Sequence, residues 1–494
     1  MLELESPLAH NERAKDRSLW LQIDQPAISL VIIFSLLYFA QTLILAGEKT
    51  FWFDEIRSLE ICRLPTFHAA WNAVLAGADF NPPLFYLIQR GNRALFGEGL
   101  IALRLPEIVG FWIFSLCLFR FVSKRAGLLA GWVAMLIPSL SIAYYYAYEV
   151  RPHGLVLGFS GVALICWQMC DERPGSWKWP LGFAIALEGA ALTHCYAILI
   201  VLPFATAELV TAIRSRTVRW RKWSALVLPP VFAVLAYLPL IRSYRTNLGT
   251  PFSSQFPPNI TALINFYPNL LGLSVLVVLV VAAVLFGLER SRAWFRSGSE
   301  QSLSEGLTSS EATVTLAFLC MPVLGVLLAR LINGPFFARY FTSTLIGICV
   351  ALRVGMGGRR TRGSLAVAIL VTCLFAKAVL TVGWHKYRGV DEISYEPSTG
   401  IRLNTNAADP LAIHPMLKSN PLRSLPVLVP DTLEFYYLLH YAPALASNFS
   451  TLKLFNKGRR YLNSFRHIDT SCCMGSKWRD VTRILRISPR KAER

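Results

Sequence analysis

Two adjacent acids, Asp54 and Glu55, stand in the stretch Phe51–Arg63, FWFDEIRSLEICR. A carboxylate can take a proton from a hydroxyl, hold a hard cation or pair with a basic side chain. Further along, Glu149 and Arg151 lie in Tyr144–His153, YYYAYEVRPH, and Arg339 lies in Asn333–Tyr340, NGPFFARY. A guanidinium is permanently charged and binds phosphate oxygens in a fork, so acids gathered with arginines suit proton abstraction beside a phosphate leaving group. Each residue also has a plainer reading. Acids complement the dipole in the first turn of a helix. Arg151 could pair with Glu149 or reach lipid headgroups, and Arg339 could be an interfacial anchor. His194 could ligate a metal, carry a proton or simply cap a helix end.

These residues need a scaffold, and the scaffold is a membrane one. Of 494 residues 54% are hydrophobic and only 16% charged, with a mean hydropathy of +0.45, whereas soluble domains carry ~25% charged residues. Apolar runs predict eleven spanning helices, at about 27–46, 101–121, 127–146, 153–170, 179–194, 196–212, 224–241, 267–288, 312–331, 340–354 and 364–384. The second is interrupted by Arg104 and Pro106. The polar lead 1–25 does not read as a cleavable signal. Twenty Lys and Arg fall in the connections on the side of the N-terminus, among them Arg125, Arg214, Arg216, Arg219, Arg221 and Lys222, and ten on the other side. That bias predicts a cytoplasmic N-terminus, an outer first loop at 47–100 and, with an odd helix number, an outer tail. The formal charge of +19 is thereby spread over membrane anchors and tail, and no nucleic-acid partner is expected.

Three units follow: a cytoplasmic segment 1–25, a transmembrane body 26–384 with the large first loop 47–100, and an exported domain 385–494. The tail counts 17 Lys and Arg against 9 Asp and Glu. Within it Leu425–Val429 reads as a buried strand, and Asp431 could cap a helix through Tyr441, so a small α/β domain is expected. The fold class is thus an all-α polytopic membrane protein with a small exported α/β C-terminal domain. The cysteines show no zinc spacing and no CxxC pair, and no phosphate-binding glycine loop is present.

The outer segments WFDE (52–55), NPPLFYLIQR (81–90), ALRLP (102–106), YEVRPHGL (148–155), THCYAILIVLP (193–203) and ARYFTSTLIGI (338–348) occur in a telling order. The set resembles the polyprenyl-phosphate-sugar-dependent membrane glycosyltransferases of the C-type superfold, which include protein O-mannosyltransferases and aminoarabinose transferases. The resemblance covers roughly Phe51 to Leu352. Two departures stand out: Asn81 replaces a frequent histidine before the paired prolines, and Tyr148-Glu149-Val150-Arg151-Pro152 replaces Gln-Glu-Ala-Arg-Pro. An amide oxygen is a weak metal ligand beside imidazole or carboxylate.

The resemblance implies an inverting glycosyltransferase in a bacterial inner membrane, with its site facing the periplasm or outside. The donor would be a polyprenyl-phosphate sugar and the acceptor an exported lipid, glycan or protein. Asp54 would be the catalytic base, with Glu55 orienting the acceptor or tuning Asp54. Arg151 and Arg339 would bind the donor phosphate, and Asn81, Tyr86, Glu149 and Tyr340 would contact substrate. Among cofactors there is room only for a divalent metal ion, with His194 as its candidate ligand. A transporter or flippase of polyprenyl-linked sugars is the alternative. It would gather polar residues near the bilayer midplane in two related halves, whereas here they collect at one face and no halves are evident.

Overall fold

The computed structural model describes residues 25–247, 256–297, 307–356, 361–389, 393–396, 400–403, 427–429, 440–441 and 449–451. Helix α1 (Gln25–Glu48) is 24 residues long, ~36 Å at ~1.5 Å per residue. One stripe of it, Ala27, Phe34, Tyr38, Thr42 and Leu45, is buried at helical spacing, while Ile28, Ile32, Ile33 and Leu36 remain exposed. That is the pattern of a span with one protein face and one lipid face. The first loop is itself helical: α2 (Phe53–Arg63), α3 (Phe67–Leu75) and α4 (Pro83–Phe96). Thr66 caps α3 by accepting from Ala69 N at 3.1 Å, and Pro83 stands at the first position of α4, where a missing N–H costs nothing.

The body continues with α5 (Leu100–Leu140), α6 (His153–Glu172), α7 (Lys178–Thr193), α8 (Val201–Ser215), α9 (Trp220–Asn247), α10 (Ile260–Ser297), α11 (Ser309–Leu319), α12 (Met321–Leu331), α13 (Thr344–Met356) and α14 (Arg362–Tyr387). This is a multi-pass membrane bundle. Among the described residues, seven helices are long and apolar enough to cross a membrane, or eight if α11 and α12, bent by 48° at Cys320, form one span. Several sequence limits shift. Pro106 does not break α5; the chain breaks instead at Gly127, whose φ of 83° suits a residue without a side chain. The run expected as 127–146 leaves the α-helix at Leu140 and passes through a 3-10 turn, Ile142–Tyr148. Pro138, near the end of α5, weakens that last turn, and the Tyr144 hydroxyl is tied to Thr42 Oγ1 at 2.6 Å.

Helices α5 and α6 approach closely. A Cβ on Gly110 would come within 2.6 Å of Gly154 O, and one on Gly158 within 2.7 Å of Gly110 O. Three glycines thus let two backbones touch, the small-residue packing that membranes favour. Glu107 finishes the joint: its Oε2 accepts from Leu155 N at 2.8 Å and so caps the start of α6. Gly189 packs likewise against the Phe159 ring, where an added Cβ would fall 2.6 Å from the ring edge, and the adjacent Glu188 is half-buried.

After α14 the described residues form two short strand pairs. β1 (Ile393–Glu396) lies antiparallel to β2 (Gly400–Leu403), and β3 (Val427–Val429) lies parallel to β4 (Phe449–Thr451). β3 falls inside the strand expected at Leu425–Val429. The expected cap at Asp431 and most of its helix lie outside the described residues, but Tyr441 is placed. Its hydroxyl accepts from Phe51 N at 2.6 Å and lies 3.3 Å from Phe51 O, so the segment after α14 touches the first loop.

Candidate active site

The charged side chains of the first loop and of the 141–152 connection form two groups. The inner one is closed and neutral. Glu55 is fully buried and surrounded by donors: Lys49 Nζ at 2.9 Å, Arg104 Nε at 2.9 Å and NH2 at 3.0 Å, Val150 N at 2.8 Å and Trp52 N at 3.2 Å. Arg104 also donates to Ala46 O and Lys49 O, both at 2.6 Å, and to Thr50 O at 3.2 Å. Its cation therefore sits on the C-terminus of α1, where the helix dipole is negative. Glu149 completes the group 3.3 Å from Lys49 Nζ. Burial alone would raise both carboxyls. Arg104 and Lys49 overcome it at Glu55, which is held at about 2, whereas burial keeps Glu149 above its ordinary value.

Two sequence expectations change here. Glu55 does not face an acceptor, because its oxygens are spent on joining α1, α2, α5 and the 141–152 connection. Glu149 is the counter-ion of Lys49 and not of Arg151.

The outer group is cationic. Asp54, one residue before Glu55 on α2, points the other way. Its Oδ1 lies 3.0 Å from Arg57 NH2 and its Oδ2 3.6 Å from Arg339 NH1. Arg57 NH2 reaches on to Asp79 Oδ1 at 3.1 Å. Asp79 Oδ2 accepts from Arg151 NH1 at 2.9 Å, Asn81 Nδ2 at 3.0 Å and the Tyr86 hydroxyl at 2.7 Å. Arg151 also donates to Ser58 Oγ at 3.1 Å. Despite full burial, the two guanidiniums hold the Asp79 carboxyl well below its usual range. Three arginines thus face two carboxylates. The Nε atoms of Arg57, Arg151 and Arg339 are all buried without an acceptor among the described residues. Unused donors on a cation are costly unless an anion meets them.

The structure brings Asp54, Arg151 and Arg339 together, as the sequence led us to expect. It adds Arg57 and Asp79, which the sequence reading passed over. Arg57 could have been found as the i+3 neighbour of Asp54 on one helix face. Asp79, an acid two residues before Asn81, gave only a weak signal. Asn81 and Tyr86, expected on substrate, spend their donors on Asp79 instead.

Beside this group lies an aromatic wall. Tyr340 stacks on Tyr196 with centroids 4.8 Å apart and meets His194 at 4.6 Å, and His153 packs on Tyr146 at 4.9 Å. The Arg339 guanidinium lies over the Phe337 ring at 5.1 Å and the Tyr340 ring at 5.6 Å. The donor set does not fit a divalent cation. Asp54 and Asp79 already face guanidiniums, and among the described residues no three of His, Cys, Asp and Glu gather as metal ligands. His194 has aromatic neighbours and the imidazole of His153, 5.5 Å away.

No family model and no curated protein sequence matches the chain. Among solved structures it is similar to ArnT from Cupriavidus metallidurans in the apo state. The TM-score is 0.50 at 12% identity, over 92% of this chain and 90% of that one. A structure of the same ArnT bound to undecaprenyl phosphate gives 0.48 at 11% identity, over 89% and 87%. The fold of this chain is therefore an ArnT-like membrane fold.

Proposed function

We propose that the protein is a membrane glycosyltransferase that moves a sugar from a polyprenyl-phosphate donor to an exported lipid, glycan or protein, with inversion at the anomeric carbon. The observation that carries this reading is the outer group: a partly open carboxylate, Asp54, paired with Arg57 and Arg339, with Arg151 on the neighbouring Asp79 and an unspent donor on each of the three arginines.

In the proposed reaction Asp54 takes the proton of the acceptor hydroxyl through a lone pair its arginines leave free, since a carboxylate offers about four acceptor positions. The acceptor oxygen bonds to the anomeric carbon from the face opposite the phosphate, and the carbon–oxygen bond to the phosphate breaks. The electron pair goes to the phosphate oxygen. Charge growing there meets Arg57, Arg151 and Arg339, whose buried Nε–H groups have no acceptor among the described residues. Tyr340, Tyr196 and His194 offer ring faces against which a sugar can lie. Asp79, Asn81 and Tyr86 position the arginines, and Glu55 with Lys49, Arg104 and Glu149 fixes α2 behind Asp54. No step runs through a metal.

The eleven-span topology, the bacterial inner membrane, the outward-facing site and an exported α/β domain at 385–494 belong to the same proposal. They rest on the Lys and Arg bias and on the resemblance in sequence. The test is release of polyprenyl phosphate from a labelled polyprenyl-phosphate sugar by purified protein in detergent. Turnover of the sugar–phosphate bond supports the reading; movement of intact donor across vesicles without turnover would make the protein a transporter.

A further inference from the structure

We propose that the end of the bundle opposite the candidate site carries a binding site for one anionic glycerophospholipid. Helix α6 separates the two ends. Arg151 precedes its first turn and Asp171 and Glu172 close its last, and its 20 residues span ~30 Å, about the hydrocarbon thickness of a bilayer. At that far end α7 begins, α8 stops at Ser215 and α9 begins at Trp220. An open groove of about 720 Å³ lies there, lined by Trp177, Trp220, Arg221, Trp223, Ser224 and Val227.

Its surface is apolar and uncovered: Trp177 is 62% exposed, Trp220 76% and Val227 54%. Indoles at a bundle end are what a membrane–water interface selects, but the basic residues around the turn from α8 to α9, of which Arg221 lines the groove, add something more specific. Of the five basic residues between 214 and 222, Arg219 and Lys222 are neutralised by Asp171 and Glu208. Arg214, Arg216 and Arg221 have no acidic partner among the described residues. Arg221 is held at the lip by the Trp177 ring, 4.6 Å from its guanidinium, and by the Pro174 carbonyl. Trp223 lines the groove, and its buried Nε1 has no acceptor among the described residues.

An apolar trough with unpaired guanidiniums and a spare indole N–H fits an amphiphile with an acyl chain and a net negative phosphate head. A zwitterionic lipid matches the trough equally but not the charge. Basic pockets between helices at the membrane surface recognise anionic headgroups on this ground.

Native mass spectrometry of the full chain tests it, with phosphatidylglycerol or phosphatidylethanolamine of the same acyl composition added to the detergent-purified protein. One phosphatidylglycerol should survive activation that strips phosphatidylethanolamine. The triple variant R214A/R216A/R221A should retain it at least ~5-fold less, the scale of one basic residue beside an anionic surface. Trp223→Phe removes only the N–H and should lower retention by a smaller factor, which keeps the test usable if the triple variant folds poorly. Arg120→Ala, an exposed cation outside the groove, should leave retention unchanged. Equal retention of the two lipids, full retention by the triple variant, or displacement of the phospholipid by polyprenyl phosphate would overturn the proposal.

Discussion

Asp79 Oδ2 and Arg151 NH1 meet at 2.9 Å across 72 residues of sequence, and this contact ties the first loop to the start of α6. Arg151 is thereby fixed from one side while its Nε stays free on the other. Asp79→Asn keeps the size of the side chain but leaves Arg57 and Arg151 short of one negative charge. Removing one partner of a buried ion pair typically costs ~3–5 kcal/mol. We expect a lower unfolding temperature and sugar transfer reduced by ~10-fold or more, the scale of a lost charge–charge contact in a closed site. Thermal unfolding in detergent and single-turnover assays measure the two effects. Wild-type values in both would deny Asp79 its positioning role.

Glu55 makes stability depend on acid. Its folded pKa of about 2 lies below the ordinary 4.5, so the folded state favours the ionised form. The contribution is fully present above pH ~4.5 and is lost as pH falls through the folded pKa. Glu55→Gln should therefore be clearly less stable than wild type at pH 7, and the gap should narrow steadily between pH 4.5 and 2. Unfolding midpoints of both proteins across that window decide it. A gap that stays constant with pH would mean that Glu55 is not held as an anion by Arg104 and Lys49.

Much of this arrangement was legible in the chain, and the failures have identifiable causes. The apolar runs located the helices because a bilayer demands long uninterrupted stretches. The motifs located Asp54, Arg151 and Arg339 because those residues stand beside helix ends at one face. Pairing was not legible. Glu149 and Arg151 look like partners two residues apart, yet the chain bends through 149–151 and they reach Lys49 and Asp79 instead. Asp54 and Glu55 look like one device, yet successive residues of a helix face ~100° apart, so Glu55 is fully enclosed while Asp54 keeps 10% of its side chain exposed. Gly110 and Gly154 explain the glycine in YEVRPHGL only once α5 and α6 are seen in contact.

The arginines should be separable by experiment. Among the described acids Arg339 reaches only Asp54, at 3.6 Å, whereas Arg151 is also part of the fold. We expect Arg339→Ala to lose donor turnover by ~10²-fold or more with little change in unfolding temperature. Arg151→Ala should lose both. Lysine at either position should restore only part of the rate, because the fork is gone. Normal donor use by both alanine variants would remove the phosphate assignment.

Topology can be tested without substrate. Reporter fusions after Arg125, Lys222 and Arg362 should read cytoplasm, and one after Tyr387 should read outside, following the positive-inside bias. A fusion after Tyr387 that reads cytoplasm would require one span more or fewer than eleven, and would put the tail that touches Phe51 on the wrong side of the membrane.

The sharpest prediction is that Asp54 is the base. It alone among the buried acids of the first loop and the 141–152 connection keeps a partly open side chain: 10% exposed, against 0% for Glu55, 1% for Asp79 and 2% for Glu149. It also lies within reach of two arginines that have donors to spare. Asp54→Asn preserves the shape and can still accept a hydrogen bond from Arg57, but it cannot take a proton at neutral pH. Transfer should fall by ~10²-fold or more, the usual scale for a lost general base. Binding of the donor should persist, since the contacts to phosphate are assigned to the arginines, and loss of a negative charge beside them would if anything strengthen it. The unfolding temperature should change little compared with Glu55→Gln, whose five donors are buried. Transfer at the wild-type rate by well-folded Asp54→Asn would leave Asp54 as a structural partner of Arg57 and end the proposed mechanism.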